Sequence, residues 1–302
     1  MSKEIPFVRA LDFEYGVVDQ VSNGIRRVIA KNPSAFTFYG TGTYIVGKDR
    51  VAIIDPGPPD TQHIQAVLDA VRGETITHLV VTHTHMDHSP GCRLLRDECA
   101  AATYGFGPHG SGHEDDDVVV EEGGDMEFDP DIVVADNELI QGDDWTLRCV
   151  YTPGHTSNHM CYVYEEERAL FSGDHVMGWS TSVVSPPDGD MESYMKSLYK
   201  LLDEDIATYW PTHGPPITNP LPHVEGFISH RLQREAQILD QLSHGVHRIA
   251  EMVPVMYANV DRGLYPAAAR SVFAAICYMV KKGKVAVRGE LTETAEFRLT
   301  GS

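Results

Sequence analysis

Three imidazoles and a carboxylate stand within the six residues His83-Thr84-His85-Met86-Asp87-His88 of this 302-residue chain. Imidazole nitrogens and carboxylate oxygens are the donors that hold zinc, and iron and manganese accept the same set. The apolar stretch His78-Leu79-Val80-Val81 reads as a short buried strand, and the polar run begins where it ends. A loop at a strand end can aim such groups at one point, whereas a core would have to satisfy each with a hydrogen bond. His83 and His85 alternate around one residue, so both rings can reach one cation. Asp87 and His88 follow, placed to serve a second.

The same pattern recurs along the chain. Apolar residues 145–151 run into Thr152-Pro153-Gly154-His155, residues 169–171 into Ser172-Gly173-Asp174-His175, and residues 206–210 into Pro211-Thr212-His213. Strand ends gathered along one edge of a sandwich would converge these ligands. His155 then completes the first trio and His213 the second. Asp174 is the natural bridge, since a carboxylate can hold two cations about 3.5–4 Å apart. A hydroxide shared by the two cations would be the nucleophile near neutral pH. Asp87, the catalytic candidate, would orient that water or relay its proton.

The elements that must position these groups are short. Residues 24–30, 43–46 and 51–54 read as strands, the last running into Asp55-Pro56-Gly57. Residues 61–72 have helical spacing (Ile64, Val67, Leu68, Val71), with Thr61 as a possible cap. A second helix is expected from about 90 to 101. The Gly-, His- and acid-rich residues 105–130 read as a long loop, either a surface insertion or a lid that brings His109 and His113 to the ligand. Residues 160–164 and 169–171 form a hairpin around Glu165-Glu166-Glu167-Arg168, and residues 191–202 an amphipathic helix. The proline-rich stretch after His213 divides the chain into a catalytic domain, 1–221, and a C-terminal module, 222–302. In the module, helices over 225–242, 246–257 and 266–282 precede a hairpin of 284–288 and 296–299, which is winged-helix-like.

These motifs resemble the metallo-beta-lactamase superfamily, through His83-Thr84-His85-Met86-Asp87-His88, His155, Asp174 and His213. Asp55 matches the carboxylate of that superfamily's first motif. The resemblance spans roughly residues 20–220. It implies an α/β fold, a four-layer αβ/βα sandwich with a dimetal site at the strand edge. The cofactor implied is two zinc ions, with iron or manganese as alternatives. Asp55 would hold the histidine loop by hydrogen bonds. Tyr151-Thr152-Pro153-Gly154-His155-Thr156-Ser157-Asn158-His159-Met160 and Phe171-Ser172-Gly173-Asp174-His175 look like the group containing glyoxalase II and the lactamase-beta-like protein 2 hydrolases. His213-Gly214-Pro215-Pro216-Ile217, Ile228-Ser229-His230-Arg231 and the winged-helix-like tail favour the latter, whose members include a mitochondrial single-strand endoribonuclease. Two departures, Gly42 where that group commonly carries Asn and His175 after the bridging Asp, are expected to bear on the substrate pocket.

His159 and His175 flank ligands and would orient them, pack, or touch substrate. Arg231 and Arg234 lie on a predicted helix. They would meet an anionic substrate if that helix borders the cleft, and otherwise form a solvated face. The net charge of -20 is divided as -22 on residues 1–221 and +2 on residues 222–302. Such a field repels nucleic acid and does not favour anionic membranes, so RNA is an unfavoured partner beside a small molecule. No apolar run approaches the ~18 residues of a membrane span. The N-terminus shows no signal-peptide core. Five scattered cysteines without a CxxC pair point to a reducing cytoplasm. The expectation is a cytoplasmic dimetal hydrolase of an ester, thioester, lactone or lactam. The runner-up is a phosphodiesterase on single-stranded RNA, and the third reading a mononuclear iron, sulfur-oxidising enzyme.

Overall fold

The computed structural model describes residues 4–112 and 123–301. Two mixed sheets lie face to face. The first runs in the order β1 (Asp19–Gln20), β2 (Ile25–Ile29), β3 (Gly42–Val46), β4 (Arg50–Ile54), β5 (Thr75–Val80), β6 (Ala102–Gly105) and β7 (Ile132–Val133). It is antiparallel as far as β4 and parallel beyond it. The second holds β8 (Leu139–Gln141), β9 (Thr146–Tyr151), β10 (Met160–Tyr164), β11 (Ala169–Gly173) and β12 (Thr208–Pro211), side by side in that order, with only β11 and β12 parallel. Helices α1 (Thr61–Ala70) and α2 (Gly91–Arg96) cover the first sheet. Helix α3 (Met191–Leu202) and the first half of α4 (Pro220–Ser243) cover the second.

Side-chain alternation assigns each strand its two partners. In β4, Ala52 and Ile54 enter the core between the sheets while Val51 and Ile53 pack with α1 and α2. In β10, Met160, Tyr162 and Tyr164 face inward, and Cys161 and Val163 face α3 and α4. Strands covered on both faces must be apolar throughout, so these segments read as continuous hydrophobic runs. The result is the expected four-layer sandwich.

Several elements differ from expectation. Asp60, not Thr61, caps α1: its extended backbone lets its carboxylate accept from the Gln62 N–H at 2.8 Å. Helix α2 stops at Arg96, and the chain re-enters the first sheet as β6. Strands β7 and β8 were not foreseen, because two- and three-residue strands with exposed Ile132, Val133 and Leu139 carry no alternation signal.

Helix α4 starts at Pro220, five residues before the predicted start at 225, with proline in its first turn where no N–H is needed. The 221/222 division therefore falls inside a helix that serves two cores. Val224, Phe227 and Ile228 pack on the second sheet. Ile238 and Leu242 pack with α5 (Ile249–Met256), α6 (Tyr265–Lys281) and the hairpin β13 (Val285–Arg288) and β14 (Glu296–Leu299). Helix α6 reaches back as well. Ala274 joins the core on the second sheet, and Lys281 and Lys282 pair with Asp190 (2.9 Å) and Glu192 (2.8 Å) at the start of α3. Against the expectation of no span-length apolar run, residues Arg262–Lys281 reach a mean hydropathy of 1.3 over a helix long enough to cross a membrane. Val272, Ile276 and Met279 of that helix are spent on the module's core.

Candidate metal centre

The loops that follow β4, β5, β9, β11 and β12 meet at one edge of the sandwich. His83 Nε2 and His155 Nε2 both approach His85 Nδ1, at 3.0 and 3.1 Å. Beside this trio, Asp87 Oδ2 lies 3.1 Å from His213 Nε2 and 3.6 Å from His88 Nε2. Asp174 stands between the two groups. Its Oδ1 is 3.5 Å from His213 Nε2 and 3.7 Å from His88 Nε2, and its Oδ2 is 3.7 Å from His155 Nε2. All seven predicted ligands thus converge. Within each of three overlapping triads, His83/His85/His155, His83/His88/Asp174 and Asp87/His88/His213, the donor atoms lie within 4.8 Å of one another.

Hydrogen bonds behind the rings decide which nitrogens face inward. The carbonyl oxygens of Val183 and Gly40 can only accept, so His155 Nδ1 (2.6 Å) and His213 Nδ1 (3.1 Å) are the protonated nitrogens. His88 Nδ1 donates to the Asp55 carboxylate at 2.8 Å. Thr82 Oγ1 gives its proton to Asp55 (2.8 Å) and so accepts from His83 Nδ1 at 3.0 Å. The Nε2 atoms of these four rings therefore turn to one space, each an acceptor when its ring is neutral. His88 Nε2 and Asp174 Oδ1 are buried with no hydrogen-bond partner. Facing lone pairs and an orphaned carboxylate oxygen are what a pair of divalent cations would satisfy, so the donor set fits the implied group.

The protein's own charges agree. Burial and the neighbouring His88, His85 and His155 push His83 well below the ordinary histidine range. Burial would lower His88 too, but the carboxylates of Asp87, Asp55 and Asp174 outweigh it and raise it to about 10. Burial opposes ionisation of Asp87, yet His88 and His213 overcome it and hold this carboxyl well below the usual range. One half of the site repels protons and the other attracts positive charge.

Asp55 is the keystone of the bracing. Its carboxylate accepts from the Thr82 N–H (2.7 Å), Thr82 Oγ1, His88 Nδ1 and Thr212 Oγ1 (2.9 Å), tying together the loops after β5 and β12. His159 is buried behind the site and Nε2 accepts from the Asp174 N–H at 3.2 Å, so it sets the Asp174 turn and does not face the cleft. Gly173, at φ +50°, passes so close that a Cβ there would stand 2.5 Å from His159 Nε2. His175 is fully buried, its ring packed on Tyr194 at 4.7 Å and pushed down to about 3 chiefly by burial. His109 bonds Thr84 Oγ1 at 2.9 Å through Nδ1, and His113 lies outside the described residues.

Above the donors lies a cleft of about 420 Å³, walled by Phe36, Met86, Met177, Trp179 and Val183 and by the hydroxyls of Ser34, Thr37, Ser180, Thr181 and Ser185. Several candidates do not reach it. Arg231 is buried and donates through Nη2 to the Ser182 carbonyl, its guanidinium 5.0 Å over Tyr194. Arg234 donates to the Met256 carbonyl at 2.8 Å and lies 4.2 Å over Tyr257. Both side chains turn into the interface of α4 with α3, α5 and α6, because the helix face that carries them is the one α6 covers. Gly42 and His175, the two departures, line no part of the cleft either; Gly42 packs against the Thr212 carbonyl and the Arg27 side chain.

Other residues take those places unforeseen. Ala267 and Arg270 of α6 line the cleft, and Gly123, at the end of the acidic stretch, lines it and accepts from the Met86 N–H at 2.9 Å. Asp125 is buried against the histidine loop. It accepts from Ser89 Oγ (2.7 Å) and Arg93 Nη1 (2.9 Å), and its N–H donates to the Thr84 carbonyl. Within a run of 14 acids between residues 113 and 144, nothing local marked it as the buried one.

Comparison with known proteins agrees with this geometry. The sequence profile described as the metallo-beta-lactamase superfamily matches residues 37–213, and the beta-lactamase associated winged helix domain matches residues 249–293. The chain is 33% identical over 283 residues to the beta-lactamase-like protein 2 homolog of Drosophila melanogaster, covering 89% of this chain and 92% of that one. It is 32% identical over 260 residues to an atrochrysone carboxyl ACP thioesterase of Paecilomyces divaricatus, covering 82% and 74%. A beta-lactamase domain protein from Burkholderia ambifaria superposes with a TM-score of 0.76 at 16% identity, over 98% of this chain and 97% of that one. The chain belongs to the metallo-beta-lactamase superfamily, and is a metal-dependent hydrolase with the associated winged helix at its C-terminal end.

Proposed function

We propose that this protein is a dizinc hydrolase of small carbonyl substrates, with thioesters the favoured class and esters, lactones and lactams chemically within reach. One observation carries the reading: five histidines and two carboxylates converge at the floor of a largely apolar cleft. Two divalent cations held there would acidify water and polarise a carbonyl oxygen. His83, His85 and His155 would hold one, Asp87, His88 and His213 the other, with Asp174 between them. Asp87 is held by His213 and by the Thr41 hydroxyl (3.3 Å), and Asn32 Nδ2 donates to that hydroxyl at 3.0 Å. Kept ionised, Asp87 orients an attacking water rather than storing its proton. The apolar wall excludes bulk solvent and seats the acyl chain. The Paecilomyces relative bears the name of a thioesterase, which supports thioesters over the other three. Five free thiols support a reducing compartment such as the cytoplasm.

Cleavage of single-stranded RNA is the second reading, supported by the winged-helix match. The net charge of -20 and a cleft lined, among the described residues, by a single arginine weigh against it. The deciding experiment measures metal content of protein purified without added metal. It then assays thioesters, lactones, a cephalosporin and short RNA, with Asp87→Ala and His213→Ala as controls. Thioester turnover lost in both variants is the expected result. RNA cleavage abolished by Asp174→Ala, with no carbonyl substrate turned over, would sink the proposal. A single iron per chain would favour the sulfur-oxidising reading.

A further inference from the structure

We infer that Arg270, on the C-terminal module, selects the substrate of this cleft by pairing with a carboxylate or phosphate that the substrate carries away from its scissile carbonyl. The inference rests on the carbonyl-hydrolase reading above. Ala267 and Arg270 are three residues apart on α6, hence on one face, and both line the cleft that holds His85, Asp87, His155, Asp174 and His213. Val272, Ile276 and Met279 of the same helix are buried in the module's core. One helix thus packs the module with one face and walls the active cleft with the other.

Arg270 is exposed, and among the described residues no carboxylate or carbonyl holds it. Arg26, Arg93, Arg148 and Arg248 are each paired with a carboxylate, and Arg231 and Arg234 are tied to backbone carbonyls. In a chain of net charge -20, an uncommitted guanidinium beside the cleft stands apart. The other charged residues of the lining, Asp87 and Asp174, face the histidines of the floor. The rest of the wall is apolar or carries hydroxyls. The cleft therefore offers a carbonyl site, apolar walls and one positive charge. The complementary substrate has a carbonyl, an apolar body and a terminal anion, which the planar fork of a guanidinium suits. A neutral ester or lactam would leave that charge unused.

Two matched pairs of thioesters test this on the metal-loaded full chain. Glutaryl and pentanoyl N-acetylcysteamine place the anion on the acyl side. Pentanoyl 4′-phosphopantetheine and pentanoyl pantetheine place it on the thiol side. Each is assayed with wild type, Arg270→Ala and Arg270→Lys. Calorimetry with glutarate, pentanoate, 4′-phosphopantetheine and pantetheine reads the same preference without turnover. In at least one pair the anionic member should be favoured about tenfold by wild type. Arg270→Ala should erase that preference through KM, leaving kcat and the neutral partner within about twofold, and Arg270→Lys should restore part of it. Added salt should narrow the preference in wild type and in Arg270→Lys, and leave Arg270→Ala unchanged. Which pair responds tells acyl from thiol recognition. No anionic preference in either readout, or an equal loss on both members of each pair, overturns the inference. If no thioester is turned over, the thioester preference of that reading fails, and the calorimetric preference still decides the role of Arg270.

Discussion

The floor and the rim of the cleft are built on opposite principles. On the floor, His83, His88, His155 and His213 each have the outer nitrogen tied to a named partner, and Asp55 alone accepts four hydrogen bonds. At the rim, Phe36, Met86 and Arg270 are exposed, and Arg270 takes its position from a helix whose core lies in the C-terminal module. The difference separates two tasks. Metal chemistry needs donor atoms placed to fractions of an ångström, so every ring is braced. Substrate choice needs only shape and charge, which single rim residues can change at small cost in stability.

The largest effect should come from removing the brace. Asp55→Ala leaves four donors without their acceptor and should cost about 3–5 kcal/mol of stability and about 100-fold or more in metal affinity. Melting curves and elemental analysis check both. Full metal content in this variant would break the contrast between floor and rim.

Acid should reach the floor through His63. This buried ring bonds Thr43 Oγ1 at 2.8 Å, whose hydroxyl donates to the Asp55 carbonyl at 2.7 Å. Burial lowers His63 from 6.5 to about 4, against a weaker upward pull from Asp60. Between those values the unfolded chain binds a proton that the folded chain does not. Stability therefore falls as pH drops from 6.5 toward 4, by about 1.4 kcal/mol per unit and about 3 kcal/mol in all. Denaturant unfolding of chelator-treated protein should show a slope of at least this size, since His83 and His175 are also held low, and His63→Gln should flatten it by about one proton.

Glycine substitutions sharpen the comparison further. Gly173→Ala puts a methyl 2.5 Å from His159 Nε2 and 2.9 Å from Thr82 Oγ1. It should cost about 1–3 kcal/mol beyond the left-handed strain and lower kcat by shifting Asp174. Gly283→Ala, at φ +67° with nothing within 4 Å of the new Cβ, should show the strain alone, about 1–2 kcal/mol, with kcat intact. Equal losses of kcat in the two variants would mean that the Asp174 turn is not tightly held. The smallest effect belongs to the rim. Phe36→Ala should leave stability within about 0.5 kcal/mol while raising KM for long acyl thioesters about three- to tenfold.

The sequence by itself determined the donor set, because ligand types recur directly after apolar strand ends and each run is local. The layered architecture was implied by the family resemblance, and the apolar runs of β4, β10 and β11 agree with it, because a sheet covered on both faces requires them. It also pointed to Asp55 as the brace, although the three residues that donate to it lie up to 157 positions away. Tertiary structure decided the rest. Arg231 and Arg234 read as candidates for an anionic substrate, yet packing turns them into the α4–α6 interface. Arg270 reads as one polar position on an apolar helix, and only the docking of that helix against the sandwich brings it to the cleft. Asp125 and β6 to β8 were illegible because their partners are distant and their own segments too short or too acidic to carry a period. Donor chemistry is written in neighbouring residues. Which charge faces the substrate is set by how two packed cores meet, and contacts between cores leave no period in either segment.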